Sequence, residues 1–165
     1  MLQEREREIM FNTLRYPTKQ QNLIWLRRRQ NDRPSDIAKD LRMSRPYVSI
    51  EQRKAEGRIK KLIEHAASVD RVKIERLSAR YGIAEGFCHV YDSHVYIVYS
   101  PKMGVHNWFV HQGNCATCAL MDECQEILRT LAEEWEIGIP PEMAPTELGV
   151  YLFENIRRRL KWDRM

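Results

Sequence analysis

The chain has 165 residues, 43% of them hydrophobic and 30% charged, which suits one compact domain or two small ones. No apolar run approaches the roughly 20 residues of a membrane-spanning helix, and the charged start Met1 to Glu8 lacks the apolar core of a signal peptide, so the expected compartment is the cytoplasm. The formal net charge of +4 conceals a basic half, residues 1–80 at +9, and an acidic half, residues 81–165 at −5. A basic half of that size points to phosphate as a partner.

In chain order, Lys19 to Gln30 predicts a first helix with Leu23, Ile24 and Leu26 as its packing face. A second short helix follows from Ile37, Ala38 and Leu41, apolar at i, i+1 and i+4, with Asp36, Lys39, Asp40 and Arg42 outside. Arg42-Met43 forms a turn, Ser44 is placed to cap the next helix, and Pro46 falls in its first turn, where a missing N–H costs nothing. The third helix buries Val48 and presents Arg45, Tyr47, Ser49, Gln52 and Arg53. This is the layout by which a helix-turn-helix puts side chains on DNA. With Arg27, Arg28 and Arg29 beside it, the expected DNA-contacting set is Arg27, Arg28, Arg29, Ser44, Arg45, Tyr47, Ser49, Gln52 and Arg53.

The helix continues through Glu51 to Ala67, and Val48, Ala55, Ile59, Leu62 and Ala66 make one apolar stripe along it. Two uses of the stripe stay open: packing within the monomer, or a dimer seam that sets two recognition helices on a two-fold operator. Val69 to Tyr81 reads as another helix through Val72, Leu77 and Tyr81, ending at Gly82. Aromatic and β-branched residues then define three strands, Phe87 to Tyr91, His94 to Tyr99 and Val105 to His111, in an antiparallel meander. Taking Asp92-Ser93 and residues 101–104 as the turns, Cys88 pairs with Ile97 and Ile97 with Trp108, so Cys88 shares a face with Val95, Trp108 and Val110. Asp122 to Trp135 returns to helix with Ile127, Leu128, Leu131 and Trp135 inward, and Thr146 caps a final helix reaching Arg159. The expected fold is α+β: a helix-turn-helix unit in 1–66, a connecting helix in 67–82, and an α+β metal-binding unit with a three-stranded sheet in 83–165.

The acidic half has its own chemical feature, Cys115-Ala-Thr-Cys118-Ala-Leu-Met-Asp-Glu-Cys124. In a reducing compartment cysteines serve as ligands, redox groups or buried hydrophobes. With Cys88 the spacing is C-x26-C-x2-C-x5-C, four thiolates, the complement of a [4Fe-4S] cluster. Zinc competes through Cys115, Cys118, Cys124 and His111 as H-x3-C-x2-C-x5-C, a Cys3His set. The remaining histidines, His65, His89, His94 and His106, have no metal-type spacing and read as surface or half-buried residues. Tyr91, Tyr96, Tyr99, Trp108 and Phe109 read as the packing surface of the sheet.

The stretch from Leu26-Arg27-Arg28-Arg29 through Ile37-Ala38, Leu41, Ser44-Arg45 and Val48-Ser49 to Ala55 and Ile59-Lys60-Lys61 resembles the helix-turn-helix of archaeal Tfx-type regulators, and more distantly region 4 of bacterial sigma factors. C-x2-C-x5-C is similar to the cluster loops of endonuclease III-type glycosylases and RecB-like iron-sulfur nucleases. Neither the acidic nuclease motif nor the glycosylase hairpin surrounds it. The resemblances imply a transcription regulator, acting on double-stranded DNA as a homodimer, whose cysteine-bound cluster senses redox state or oxygen. The alternatives are a regulator with a structural zinc site and a nucleic-acid-processing enzyme. Against the enzyme, paired carboxylates, a lysine nucleophile and a phosphate-binding glycine loop are not recognisable.

Overall fold

A computed structural model describes residues 14–162; Met1 to Glu8, on which the signal-peptide expectation rests, lie outside the described residues. Within them the order is α1 (Lys19–Arg29), α2 (Pro34–Leu41), α3 (Arg45–Val69), β1 (Val72–Ser78), β2 (Ile83–Cys88), β3 (Ser93–Ser100), β4 (Gly104–Phe109), a 3-10 turn (Cys115–Thr117), α4 (Met121–Glu134) and α5 (Pro145–Leu160). The mixed α+β class is as expected. No described helix is long and apolar enough to cross a membrane.

Local capping sets the first three helices. Thr18 and Gln21 form a capping box: the Gln21 amide donates to Thr18 Oγ1 at 3.2 Å and the Thr18 amide to Gln21 Oε1 at 3.0 Å. The buried face of α1 is Gln21, Ile24, Trp25 and Arg29. Leu23, expected on that face, is 44% exposed. Arg42 ends α2 in the left-handed region at φ 55°, and Ser44 caps α3 by accepting from the Tyr47 amide at 3.2 Å. Ile24, Ile37, Ala38 and Val48 then close a small core with Leu41 and Met43.

α3 is 25 residues long, about 37 Å at 1.5 Å per residue. Ala55, Ile59, Leu62, Ile63 and Ala67 form one core with Val72, Ala84, Cys88, Val95, Ile97 and Tyr99 of the sheet. Of the two uses left open for the stripe, packing within the monomer is the one taken, which leaves it unavailable as a dimer seam. Trp25 of α1 joins the same core; its ring meets Tyr99 edge-on at 5.4 Å and its Nε1 donates to Ala79 O at 3.0 Å. A Cβ on Gly82, whose φ is +67°, would stand 2.6 Å from the Trp25 ring, so only glycine makes this turn beneath the indole.

The sheet has four strands in the order β1-β2-β3-β4, all neighbours antiparallel. The extra strand is β1, in place of the helix expected over 67–82. Asp70 caps α3 and Arg71, at φ 52°, turns the chain back. A register irregularity between Ile74 and Arg76 places an extra residue, Glu75, in the strand, so Val72, Ile74 and Leu77 all pack on the α3 side. That bulge breaks the period of two and leaves a spacing that mimics a helix.

Both expected registers also change. The β2–β3 turn is residues 89–92, giving Cys88↔Ser93, and the β3–β4 turn is residues 101–103, giving Ile97↔Asn107 and Tyr96↔Trp108. The first change keeps Cys88 on the face of Val95. The second is a slip of one residue and reverses β4: Trp108 and Val110 face away from Cys88, into the core under α4 and α5. There Ile83, Tyr96, Val98 and Trp108 meet Leu128, Leu131, Ala132, Trp135, Leu148, Leu152, Phe153 and Ile156. Tyr96 stacks on Phe153 at 4.4 Å. A Cβ on Gly149 would lie 2.7 Å from Trp108 Nε1, so glycine sets how closely α5 approaches the sheet. Ala144, with Pro145 next, occupies the N-cap of α5; Thr146, the expected cap, lies inside the first turn.

Candidate functional site

The exposed edge of the three-helix unit is the N-terminal half of α3. Ser44, Arg45, Tyr47 and Arg53 are exposed there and Ser49 is half-buried. Tyr47 Oη donates to Gln20 Oε1 at 2.9 Å, which holds the ring against α1. Arg45 and Arg53 make no hydrogen bond or ion pair with the described residues, so both guanidiniums are available to an anion.

The arginine triplet divides. Arg27 bridges Asp32 and Asp40, each at 2.7 Å, and those two carboxylates hold its guanidinium above the usual range. Arg28 Nε donates to Gln52 Oε1 at 3.1 Å and its NH1 to Asp32 O at 2.6 Å. Gln52 also donates to Glu56 Oε1 at 3.1 Å, so the glutamine expected to read a base is held within the chain. Arg29 is a correction: it is 6% exposed and turned toward α4 and α5, away from the exposed start of α3 where DNA is expected. Its guanidinium lies between the Trp25 ring at 4.9 Å and the Trp135 ring at 4.4 Å, donates to Glu134 O at 2.9 Å, and is pushed down to about 10 by burial. It fastens the three-helix unit to the C-terminal half. Helical periodicity carries a signal for this: Arg29 sits at i+4 from Trp25 and i+5 from Ile24, on the buried side.

The cysteines divide as well. Cys88 is fully buried on the α3 side of the sheet, and its Sγ donates to Asp70 O at 3.2 Å. The other three lie beyond the opposite face. Cys115 Sγ is 3.6 Å from Thr146 Oγ1 of α5, Cys118 is exposed, and Cys124 packs against the α4–α5 core. The C-x26-C-x2-C-x5-C set is thus not brought together, because the sheet separates its first member from the rest.

Cys115, Cys118 and Cys124 do stand close enough to feel one another. Burial raises the Cys124 thiol, and Cys118 and Cys115 raise it further. Asn114 Oδ1 accepts from the Ala116 amide at 3.1 Å and starts the 3-10 turn that carries the first two cysteines. A cleft of about 320 Å³ beside the turn is lined by Cys115, Met121, Met143 and Thr146 together with Glu142 and Glu147, while Cys118 and Cys124 stand outside it. Among the described residues, however, no three His, Cys, Asp or Glu side chains converge closely enough to hold a single ion. His111 does not close the set: it is exposed, with Nδ1 2.7 Å from Phe109 O.

Glu85 is a further buried group, and no motif in the sequence marks it. It is 3% exposed and faces Arg157 Nε at 3.1 Å, Arg76 Nε at 3.5 Å and His94 Nε2 at 3.6 Å. Both arginines close on a carboxylate beneath α5, so the cluster ties that helix to the sheet. No family model, curated protein or solved structure matches this chain.

Proposed function

We propose that this protein is a DNA-binding transcription regulator whose reading element is the N-terminal half of α3 and whose input is the Cys115–Cys118–Cys124 loop. The observation that carries the reading is the capped start of α3, which projects Arg45 and Arg53, neither engaged by another described residue, from a three-helix unit in the basic half. Arg45 and Ser49 are the candidates for base edges, while Ser44, Tyr47, Arg53 and Arg28 are candidates for phosphates. The resemblance of residues 20–65 to Tfx-type and sigma region 4 helix-turn-helix units supports the same assignment. Two copies would read a two-fold operator, and their contact must use a surface other than the α3 stripe.

For the input, an iron-sulfur cluster bound by Cys115, Cys118 and Cys124 would supply one-electron redox chemistry and sensitivity to oxidants. The chain's part would be to carry Cys115 and Cys118 on the 3-10 turn and Cys124 in the first turn of α4, so that gain or loss of the group would reorder that turn against α5. Zinc is the second reading. It would use the same three thiols, Cys115, Cys118 and Cys124, with the fourth position left to a donor other than His111, whose ring is exposed and turned to Phe109 O. Anaerobic purification with iron, sulfide and zinc analysis separates them: iron with sulfide supports the cluster, one zinc per chain replaces it, and neither metal removes both. Selection of bound duplexes from a random pool tests the output. Failure to enrich any sequence, with Arg45→Ala binding like the parent, would remove the regulator.

A further inference from the structure

A cleft of about 360 Å³ opens where the three-helix unit meets the C-terminal half. Arg29 of α1, Tyr81 before β2, Glu134, Trp135 and Glu136 at the end of α4, and Arg159 of α5 line it. Arg29 NH2 is spent on Glu134 O, and Arg159 donates to Trp135 O and Glu136 O. Arg29 NH1 has no partner. Glu134 Oε1 accepts from the Ser100 hydroxyl at 2.6 Å, but its Oε2 has none, and neither has Trp135 Nε1. Half of the six shielded side-chain polar atoms left unpartnered among the described residues therefore belong to residues that line this one cleft, just behind its surface. Buried polar groups are rarely left so. They comprise donors and an acceptor, beside two guanidiniums and two carboxylates.

We propose that this cleft binds a free α-amino acid, its carboxylate toward Arg29 and Arg159 and its ammonium toward Glu134 and Glu136. A plain anion would meet the two glutamates and a plain cation the two arginines; only a zwitterion offers each side its complement. Tyr81 and Trp135, stacked with centroids 6.2 Å apart and planes 19° apart, supply an apolar wall for a side chain. The volume is ample for a molecule of that size. The occupant touches α1 on one side and α4 and α5 on the other, so its binding favours one seating of the reading unit on the C-terminal half. That effector role rests on the DNA-binding reading; the site itself does not.

Calorimetric titration of the full chain with each common L-amino acid, at up to about 10 mM, tests the site without DNA. One or a few are expected to bind saturably and to change tryptophan emission. The matching amine and the matching carboxylic acid should each bind at least about tenfold more weakly. Arg159→Gln and Tyr81→Leu, each checked for native circular dichroism, should also weaken binding about tenfold or more. The site is overturned if no amino acid binds, if the amine or the acid binds equally well, or if both variants bind like the parent. A protein that binds an amino acid but no duplex keeps the site and loses the regulator. One whose duplex affinity is the same with and without the amino acid loses the effector role alone.

Discussion

Successive residues of an α-helix point about 100° apart, so three adjacent guanidiniums on one turn must enter different surroundings. Arg27 meets two carboxylates, Arg28 a glutamine and a carbonyl, and Arg29 two indole faces. Their substitutions should separate accordingly. Arg29→Ala removes a buried stacking cation and leaves a void between the indoles, and should lower stability by about 3 kcal/mol in urea unfolding. Arg45→Ala should leave the urea midpoint alone and weaken binding to a selected duplex by about 1 to 3 kcal/mol if it reads a base. Tyr99 is a residue with a pH signature. Burial raises its phenol to about 12, and its Oη donates to Asn22 Oδ1 at 2.6 Å. The folded value exceeds the unfolded one, so the unfolded chain releases the proton first. The phenol's contribution is whole below about pH 10 and is lost as pH rises through about 12. Urea midpoints compared at about pH 8 and about pH 11 should fall further for the parent than for Tyr99→Phe, and equal falls would reject the assignment.

At the scale of elements, α3 serves two ends at once: its first turns face solvent and its remainder lies on the sheet. Gly57 interrupts it at a position with open space, since a Cβ there would meet nothing within 4 Å. Gly57→Ala should therefore raise stability by about 0.5 to 1 kcal/mol in thermal unfolding. The same change at Gly149 should destabilise, because Trp108 occupies the space, and a stable Gly149→Ala variant would mean that α5 packs otherwise. The elements also differ in how readable they are. α2, its turn and the Ser44 cap follow from residues within a few positions of one another, so Ile37, Ala38, Leu41, Ser44 and Val48 disclose them directly. β1 does not, because Glu75 adds a residue that only its pairing with β2 absorbs. Trp108 is legible as a core residue but not by face, since a turn of three residues rather than four decides which side of the sheet it takes.

For the whole molecule, the sheet is a partition. α3 with Trp25 covers one face, α4 and α5 the other, and the three-helix unit shares its core with the sheet. A fragment ending at Val69 would expose Trp25, Ala55, Ile59, Leu62, Ile63 and Ala67 together. It should show weak helical circular dichroism and no cooperative melt, while the whole chain should unfold in one transition. The sequence by itself determined the α+β class, the charge division and the helix-turn-helix spacing, because each depends on composition or on neighbours along the chain. The tertiary structure alone decided that Arg29 is interior, that the α3 stripe is spent on the sheet, and that Cys88 lies across the sheet from Cys115, Cys118 and Cys124. Those outcomes hang on strand register and on which surfaces cover which, and both are fixed by contacts between residues far apart in sequence.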